Sequence, residues 1–390
     1  MEIQRARYLA FAGRAALESE WAAARPASVV ERASLLRQRF SPGEAAALGE
    51  QLSLRERAAG RGLPVESWLY SAEGQQMMTH PLVASRRASR FALAGRTVAD
   101  LTCGLGGDLA AIAAAGINAV GIERDPATAV LAAANVPAAS VVIADAACAP
   151  VRLDRHALLL DPGRRDGGAR RFDPAAFSPP WATCLELASA APMAALKTSP
   201  GIEERHIPDS AEREYVQLGR TLREATVWLG ETARPGLRRA VMLPAAICID
   251  SDAPECDPDP VPIGRYIVDP EGCVTRASLV RHLAAAVGGR LIDPNLAYIT
   301  TANPRFTPLG TTFEVLEVLP FSLRRLRDLL RARGWRPDEI RRRAFPIEPD
   351  QLRRLLKVSS GQPVVLLCTT VAGTRTVGVA RRLVDGTAGQ

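Results

Sequence analysis

Along residues 1–75, apolar side chains recur every three or four positions. Tyr8, Phe11 and Ala15 show it, and so do Val29, Val30, Ala33 and Leu36, a spacing that predicts helices. Ser41-Pro42-Gly43-Glu44 opens another helix, with Ser at the N-cap, Pro in the first turn and Glu closing a capping box. From about 96 to 245 the period changes. Short apolar runs predict strands at Thr97–Asp100, Ala119–Glu123, Val141–Asp145, Ala157–Asp161, Met193–Lys197, Thr226–Leu229 and Arg239–Leu243. Between them Leu105–Ala115, Pro126–Asn135, Trp181–Ala190 and Ser210–Leu222 fit helices. Alternation of this kind predicts an α/β fold, a doubly wound sheet that is mainly parallel and binds ligands at its carboxyl ends.

Prolines at 254, 258, 260 and 262 make 251–264 a linker. Beyond it, strand Tyr266–Val268, helix Arg276–Val287 and a strand around Tyr298–Thr300 suggest a small α+β unit. Phe313–Leu319 leads into helices Leu323–Arg333 and Pro349–Lys357 and a hairpin of Val364–Thr370 with Thr376–Leu383.

At 390 residues, 47% hydrophobic and 23% charged, the chain has material for two or three cores and is not a disordered protein. The longest uncharged run, Pro126 to Ala144, is broken by Pro137 and is mostly alanine, so no membrane segment is expected. Arginines at 5, 7 and 14 leave no room for an apolar signal core. Seven cysteines without a CxxC pair point to a reducing cytoplasm and to no metal site. The net charge of +7 changes the picture once located. Residues 321–390 hold fourteen arginines and one lysine against six acids, so the rest of the chain sums to −2. A localised basic excess is the footprint of a polyanion binder, or else a solvated helix face.

Candidate chemistry begins at Val98-Ala-Asp100-Leu-Thr102-Cys-Gly104-Leu-Gly106-Gly107-Asp108, a strand ending in an acid followed by a Gly-rich turn into a helix. A dinucleotide fingerprint wants a third Gly at 109, where Leu stands. S-adenosylmethionine (SAM) explains the acid, since Asp100 can meet the cationic methionine end. Glu123 ends the second strand, where it can accept both ribose hydroxyls. Asp145 ends the third and can take the adenine amino group. With Thr102, Gly104, Gly106, Gly107, Arg124 and Ala146, these acids form the expected SAM site of a methyltransferase.

The fourth strand ends Asp161-Pro162-Gly163-Arg164-Arg165, and this loop is expected to face the transferred methyl group. Asp161 is the candidate for orienting or deprotonating the acceptor, and Pro162 fixes the turn. Arg164 and Arg165 can hold phosphates beside the target or pair with acids such as Asp166. Lys197, at the end of the fifth strand, is expected to point into the same crevice as a phosphate or target contact, as a base if burial lowers its pKa, or as half of a structural ion pair. Cys184 fits a core position in its helix. Glu73–His80 can fold over the methionine end, with His80 a cap for the next helix.

These motifs resemble a bacterial family of class I SAM-dependent methyltransferases that end in a THUMP-like domain. Further matches are Leu196-Lys-Thr-Ser-Pro-Gly201, Glu224-Ala-Thr-Val-Trp228-Leu-Gly230, Gly264-Arg-Tyr-Ile-Val-Asp-Pro270, Val274-Thr-Arg-Ala277 and Phe313-Glu-Val-Leu-Glu-Val-Leu-Pro320. The resemblance implies a Rossmann-like class I methyltransferase sheet with an N-terminal helical subdomain and small α+β, ferredoxin-like and THUMP-like, domains. The expected division is a helical subdomain over 1–78, a methyltransferase domain over 79–250, a linker and ferredoxin-like segment over 251–312, and a basic THUMP-like domain over 313–390. It also implies an RNA substrate. Where the pattern has a basic pair followed by Gly, this chain has Arg341-Arg-Arg343-Ala344.

A basic terminal domain beside a methyl-donor site independently suits RNA. Arg324, Arg327 and Arg331 fall near one helix face, and Arg341, Arg342, Arg343, Arg353 and Arg354 extend the expected RNA-docking patch. Two alternatives stay open. One is a methyltransferase acting on a protein or small metabolite; the other is a non-catalytic RNA-binding factor that retains a SAM fold.

Overall fold

The computed structural model describes residues 1–24, 28–163, 165–166, 169–170 and 173–384. The chain forms two compact units, Met1–Glu212 with Ala225–Gly236 and Arg213–Glu224 with Leu237–Gln390.

The first unit opens with helices α1 (Ile3–Ala10), α2 (Arg14–Ala24), α3 (Val29–Arg39), α4 (Pro42–Ala59) and α5 (Ala72–Met77). Ser41 and Glu44 make the expected capping box at α4, and Ser28 and Glu31 make another at α3. Leu48, Leu52 and Tyr70 bury this layer against Leu131. Helix α6 (Pro81–Phe91) then leads to a sheet of β1 (Val98–Asp100), β2 (Ala119–Glu123), β3 (Ser140–Ile143) and β4 (Ala157–Leu160). After the short pair β5 (Arg165–Asp166) and β6 (Ala169–Arg170) come β7 (Met193–Thr198), β8 (Glu212–Leu218) and β9 (Thr221–Gly230), of which β8 after Glu212 and β9 before Ala225 belong to the second unit. Within this unit the order is β9-β7-β4-β1-β2-β3; all neighbours are parallel except β7 and β9. Helices α7 (Gly107–Ala114), α8 (Pro126–Asn135) and α9 (Trp181–Ser189) join the strands.

Period-two alternation explains how both faces are covered. Leu158 and Leu160 pack with Trp181 and Cys184 of α9, while Ala157 and Leu159 pack with Phe91 of α6 and Ile112 of α7. The strand order reverses beside β1, which makes the carboxyl ends of β1 and β4 the place for a ligand crevice.

Ser210–Leu222, expected to be a helix, is instead β8, a turn, and the start of β9. Gly219 sits at φ +55 in that turn. Distant partners override the helix-forming composition. Glu212 is gripped by Nη1 and Nη2 of Arg90 at 2.7 and 2.9 Å, and Gln217 accepts the Cys273 N–H at 3.0 Å.

In the second unit β8 pairs in parallel with β10 (Arg238–Leu243), which pairs with β11 (Ile247–Asp250). A seven-stranded sheet follows, of β12 (Tyr266–Pro270), β13 (Arg290–Leu291), β14 (Ile299–Thr301), β15 (Gly310–Pro320), β16 (Trp335–Arg343), β17 (Gln362–Val371) and β18 (Thr374–Arg382), in order β13-β14-β12-β15-β18-β17-β16. The strands between 251 and 312 therefore share a sheet with those that follow. The helix expected over 276–287 is two, α10 (Gly272–Arg276) and α11 (Val280–Ala286), because Ser278 turns at φ +56. Helices α12 (Leu323–Ala332) and α13 (Pro349–Leu356) bury Leu326, Leu330, Leu352 and Leu356 against Leu366 and Val379. Among the described residues no helix is long and apolar enough to cross a membrane.

Candidate active site

Strand β1 ends on Asp100, and the turn to α7 takes Gly104 to φ +53 and Gly106 to φ +89. A Cβ on Gly106 would stand 2.7 Å from Val136, so packing and backbone both demand glycine there. Glu123 ties the second strand end to this turn by accepting the N–H of Gly104 at 3.1 Å and of Asp125 at 2.8 Å. Asp145 follows β3 and accepts the Ala147 N–H at 2.8 Å. Asp161 follows β4, and its N–H donates to Thr102 Oγ1 at 2.6 Å, joining the ends of β4 and β1.

These four acids rim one cleft of about 540 Å³. Thr102, Gly104, Gly107, Arg124, Ala146, Pro162 and Lys197 line it with them. Gly106, also expected to bind cofactor, is not among the residues that line the cleft, and the side where its Cβ would stand faces Val136. The segment before α6 closes over the Gly-rich turn: Gly74 and Met78 line the cleft, and a Cβ on Gly107 would approach Met78 to 3.1 Å. His80 caps α6, its Nδ1 accepting the Leu82 N–H at 3.2 Å.

Lys197 is buried at the base of the cleft. Its Nζ donates to Thr79 Oγ1 at 2.5 Å and lies 2.5 Å from Asp161 Oδ2 and 3.0 Å from Asp108 Oδ2. Asp108, in the first turn of α7, also accepts from Thr79 Oγ1 at 2.9 Å and pairs with the buried Arg87 of α6. Burial pushes the Asp108 carboxyl up, but Arg87 and Lys197 outweigh it and hold the group at about 2. Asp100 goes the other way. Burial, reinforced by the charge of Asp108, pushes it up to about 8, and the Thr102 N–H at 3.2 Å offsets only part of this.

In the second unit the arginines expected to dock RNA fall into two groups. Arg341 and Arg343 both grip the buried Asp269 of β12. Arg327 donates to the carbonyls of Leu355 and Leu356, Arg353 to those of Pro337 and Asp338, and Arg342 pairs with Glu348 at 2.9 Å. Arg324, Arg331 and Arg354 are exposed. Arg164 and the side chain of Arg165 lie outside the described residues.

Residues 310–382 match the THUMP domain-like family. Over 338 residues the chain is 36% identical to an uncharacterized S-adenosylmethionine-dependent methyltransferase of Mycobacterium tuberculosis (strain CDC 1551 / Oshkosh), which spans 83% of this chain and 92% of that protein. Its counterpart in strain ATCC 25618 / H37Rv gives the same values. The chain belongs to the S-adenosylmethionine-dependent methyltransferases. The fold agrees: it is similar to the crystal structure of a methyltransferase candidate from Porphyromonas gingivalis W83, with TM-score 0.73 at 21% identity, over 94% of this chain and 98% of that one.

The cleft of this methyltransferase fits its methyl donor. Asp100 is a buried carboxyl at the Gly-rich turn that accepts the Thr102 N–H, with Asp108, Lys197 and Asp161 as its charged surroundings, and a cationic ammonium or sulfonium in the cleft would suit it. Among the described residues no cluster of His, Cys, Asp or Glu could hold a metal ion. Cys184 is buried in α9, and burial pushes its thiol up to about 12. Sequence reasoning named Lys197 but missed its partner Asp108 and the Arg87 that pairs with Asp108 in turn. The available signal was Asp108 itself, an acid directly behind the glycines in an otherwise apolar helix.

Proposed function

We propose that this methyltransferase modifies a nucleotide in RNA, ribosomal or transfer, with the C-terminal unit docking the substrate. The observation that carries this reading is the attachment of a THUMP-like domain, holding the chain's whole basic excess, to a SAM-fitting cleft. Phosphate contacts give such a domain sequence-independent affinity.

Bound SAM supplies an electrophilic methyl carbon. Asp100 and Glu123 would hold the ammonium and the ribose hydroxyls. Asp161 is about one-third exposed, at 32%, and its carboxylate is oriented by Lys197. Its role in this reading is to accept a proton from the acceptor or to aim the acceptor's lone pair, with Pro162 stiffening the loop behind it. Methyl transfer asks mainly for in-line positioning, so orientation supplies most of the catalysis.

A protein or metabolite acceptor is the second reading, favoured by the internal bonds that engage Arg327, Arg341, Arg343 and Arg353. Transfer of labelled methyl from SAM to total RNA of a strain lacking the gene tests the two, with wild-type and RNase-treated RNA as controls. Label confined to the deletion-strain RNA supports the RNA reading; no label despite SAM binding overturns it.

A further inference from the structure

A second cavity, of about 470 Å³, lies within the C-terminal unit, walled by Asp269 and Pro270 of β12, Glu339 and Arg341–Arg343 of β16, Arg382 of β18, Arg220 of the β8–β9 turn, and Tyr298. We infer that this cavity is a binding site for a phosphate group.

Its charge is the first reason: five arginines face three carboxylates, Asp269, Glu271 and Glu339, and the balance stays positive with Arg342 paired to Glu348 outside the lining. Two of those acids serve as anchors. Asp269 fixes Arg341 and Arg343, and Glu339 accepts from Arg341 at 2.9 Å and from Arg382 at 2.7 Å. Arg341 spends Nη1 and Nε on these bonds, Arg343 spends Nε and Nη2, and Arg382 spends Nη2. Each planar guanidinium is thus held rigid with N–H groups left over, a preorganised set of donors. Arg220 is 80% exposed in its side chain and lies 3.8 Å from Glu339, a further cation at the rim.

The second, independent reason is Tyr298. It is 1% exposed, and its hydroxyl has no hydrogen-bond partner among the described residues. Burial raises its pKa, so it stays a donor. A buried unpaired hydroxyl is costly, and because Tyr298 lines this cavity an acceptor bound there would relieve it. Donors that line one cavity from separate strands and a turn call for a ligand that is anionic, accepts only, and offers several oxygens in three dimensions. A phosphate group meets these conditions better than a planar carboxylate does. The site rests on the RNA reading for one of its sources, a phosphodiester of the substrate; a free nucleotide is the other.

The full chain should be titrated with a fluorescein-labelled twelve-nucleotide oligoribonucleotide by anisotropy, and with AMP and inorganic phosphate by calorimetry, at constant ionic strength. Wild type is expected to bind the oligonucleotide, and inorganic phosphate to compete more strongly than chloride. Tyr298→Phe removes a hydroxyl without a partner, so Tm and SAM affinity should hold while affinity for the probe falls about tenfold. Arg220→Gln with Arg382→Gln should weaken it further. Wild-type binding of oligonucleotide, AMP and phosphate by Tyr298→Phe and by the double variant overturns the site. If these variants lose probe binding but no RNA is methylated, the RNA reading fails and the site stands. If RNA is methylated equally by wild type and Tyr298→Phe with unchanged affinity, the site fails and the reading stands. Binding of AMP without the oligonucleotide keeps the site and assigns it to a free nucleotide.

Discussion

Lys197 and Asp161 stand side by side because the parallel register of β7 on β4 sets Leu196 against Leu160, and each charged residue follows its partner in that register. Their Nζ and Oδ2 are 2.5 Å apart, and Asp108 holds the same Nζ at 3.0 Å. One buried cation therefore joins the loop expected to meet the acceptor to the helix that follows the Gly-rich turn. Strand register, not local sequence, makes this connection.

Asp161→Asn tests the acceptor role. Turnover is expected to drop by about 10²–10⁴-fold, the usual contribution of a general base, while SAM affinity changes by no more than about twofold. Steady-state kinetics with calorimetric SAM titration check both; wild-type turnover would remove Asp161 from the chemistry.

Replacing Lys197 leaves Asp108 and Asp161 without their shared cation. Lys197→Met should cost about 3 kcal/mol in urea unfolding, because a charge stripped of its buried partner is expensive. A second change, Asp161→Asn, should recover part of that loss. Additive losses would mean that the two side chains are not coupled.

The two buried aspartates pull the pH profile in opposite directions. Asp108 is held near 2 against an ordinary 3.8, so the stability it contributes is present above about pH 4 and lost as pH falls toward 2. Asp100 is raised to about 8, so the folded form keeps its proton longer than the unfolded one, and stability declines as pH rises from about 4 to about 8. Each slope is at most about 1.4 kcal/mol per pH unit. Urea midpoints across pH 2–9 should show both limbs, and Asp100→Asn should flatten the upper one. Burial is the main cause of this value, and Asp108, Lys197 and Asp161 are the charged neighbours that add to or offset it. A cation bound beside Asp100 would expel its proton, so SAM titrations near pH 7 in buffers of different ionisation heat should report proton release that Asp100→Asn abolishes.

Gly106→Ala is expected to destabilise the first unit by about 1–3 kcal/mol through its left-handed backbone, with the 2.7 Å approach to Val136 adding to the cost. Thermal unfolding measures it. An unchanged Tm would show that the turn can rearrange.

If exposed arginines dock RNA, then Arg324→Gln, Arg331→Gln and Arg354→Gln together should lower the slope of log affinity against log salt by about 2, near 0.7 for each single-strand phosphate contact. Binding isotherms between low and physiological salt read this, and an unchanged slope would place the contacts elsewhere.

Much of the catalytic unit was legible in the chain itself. Strands β1, β2, β4 and β7 and helix α8 fall where short apolar runs and a proline start put them, and Asp100, Glu123, Asp145 and Asp161 reach one cleft because each follows such a run. Backbone preference and capping act over a few residues, so sequence alone carries them. The tertiary structure decided the rest. Glu212 became part of a strand because Arg90, 122 positions away, neutralises it, and Lys197 found Asp108 across 89 positions. The same long reach divided the basic C-terminal residues into arginines held by Asp269 and by carbonyls, and arginines left exposed. A charge's burial and its partner depend on which distant segments pack together, and local pattern holds no record of that.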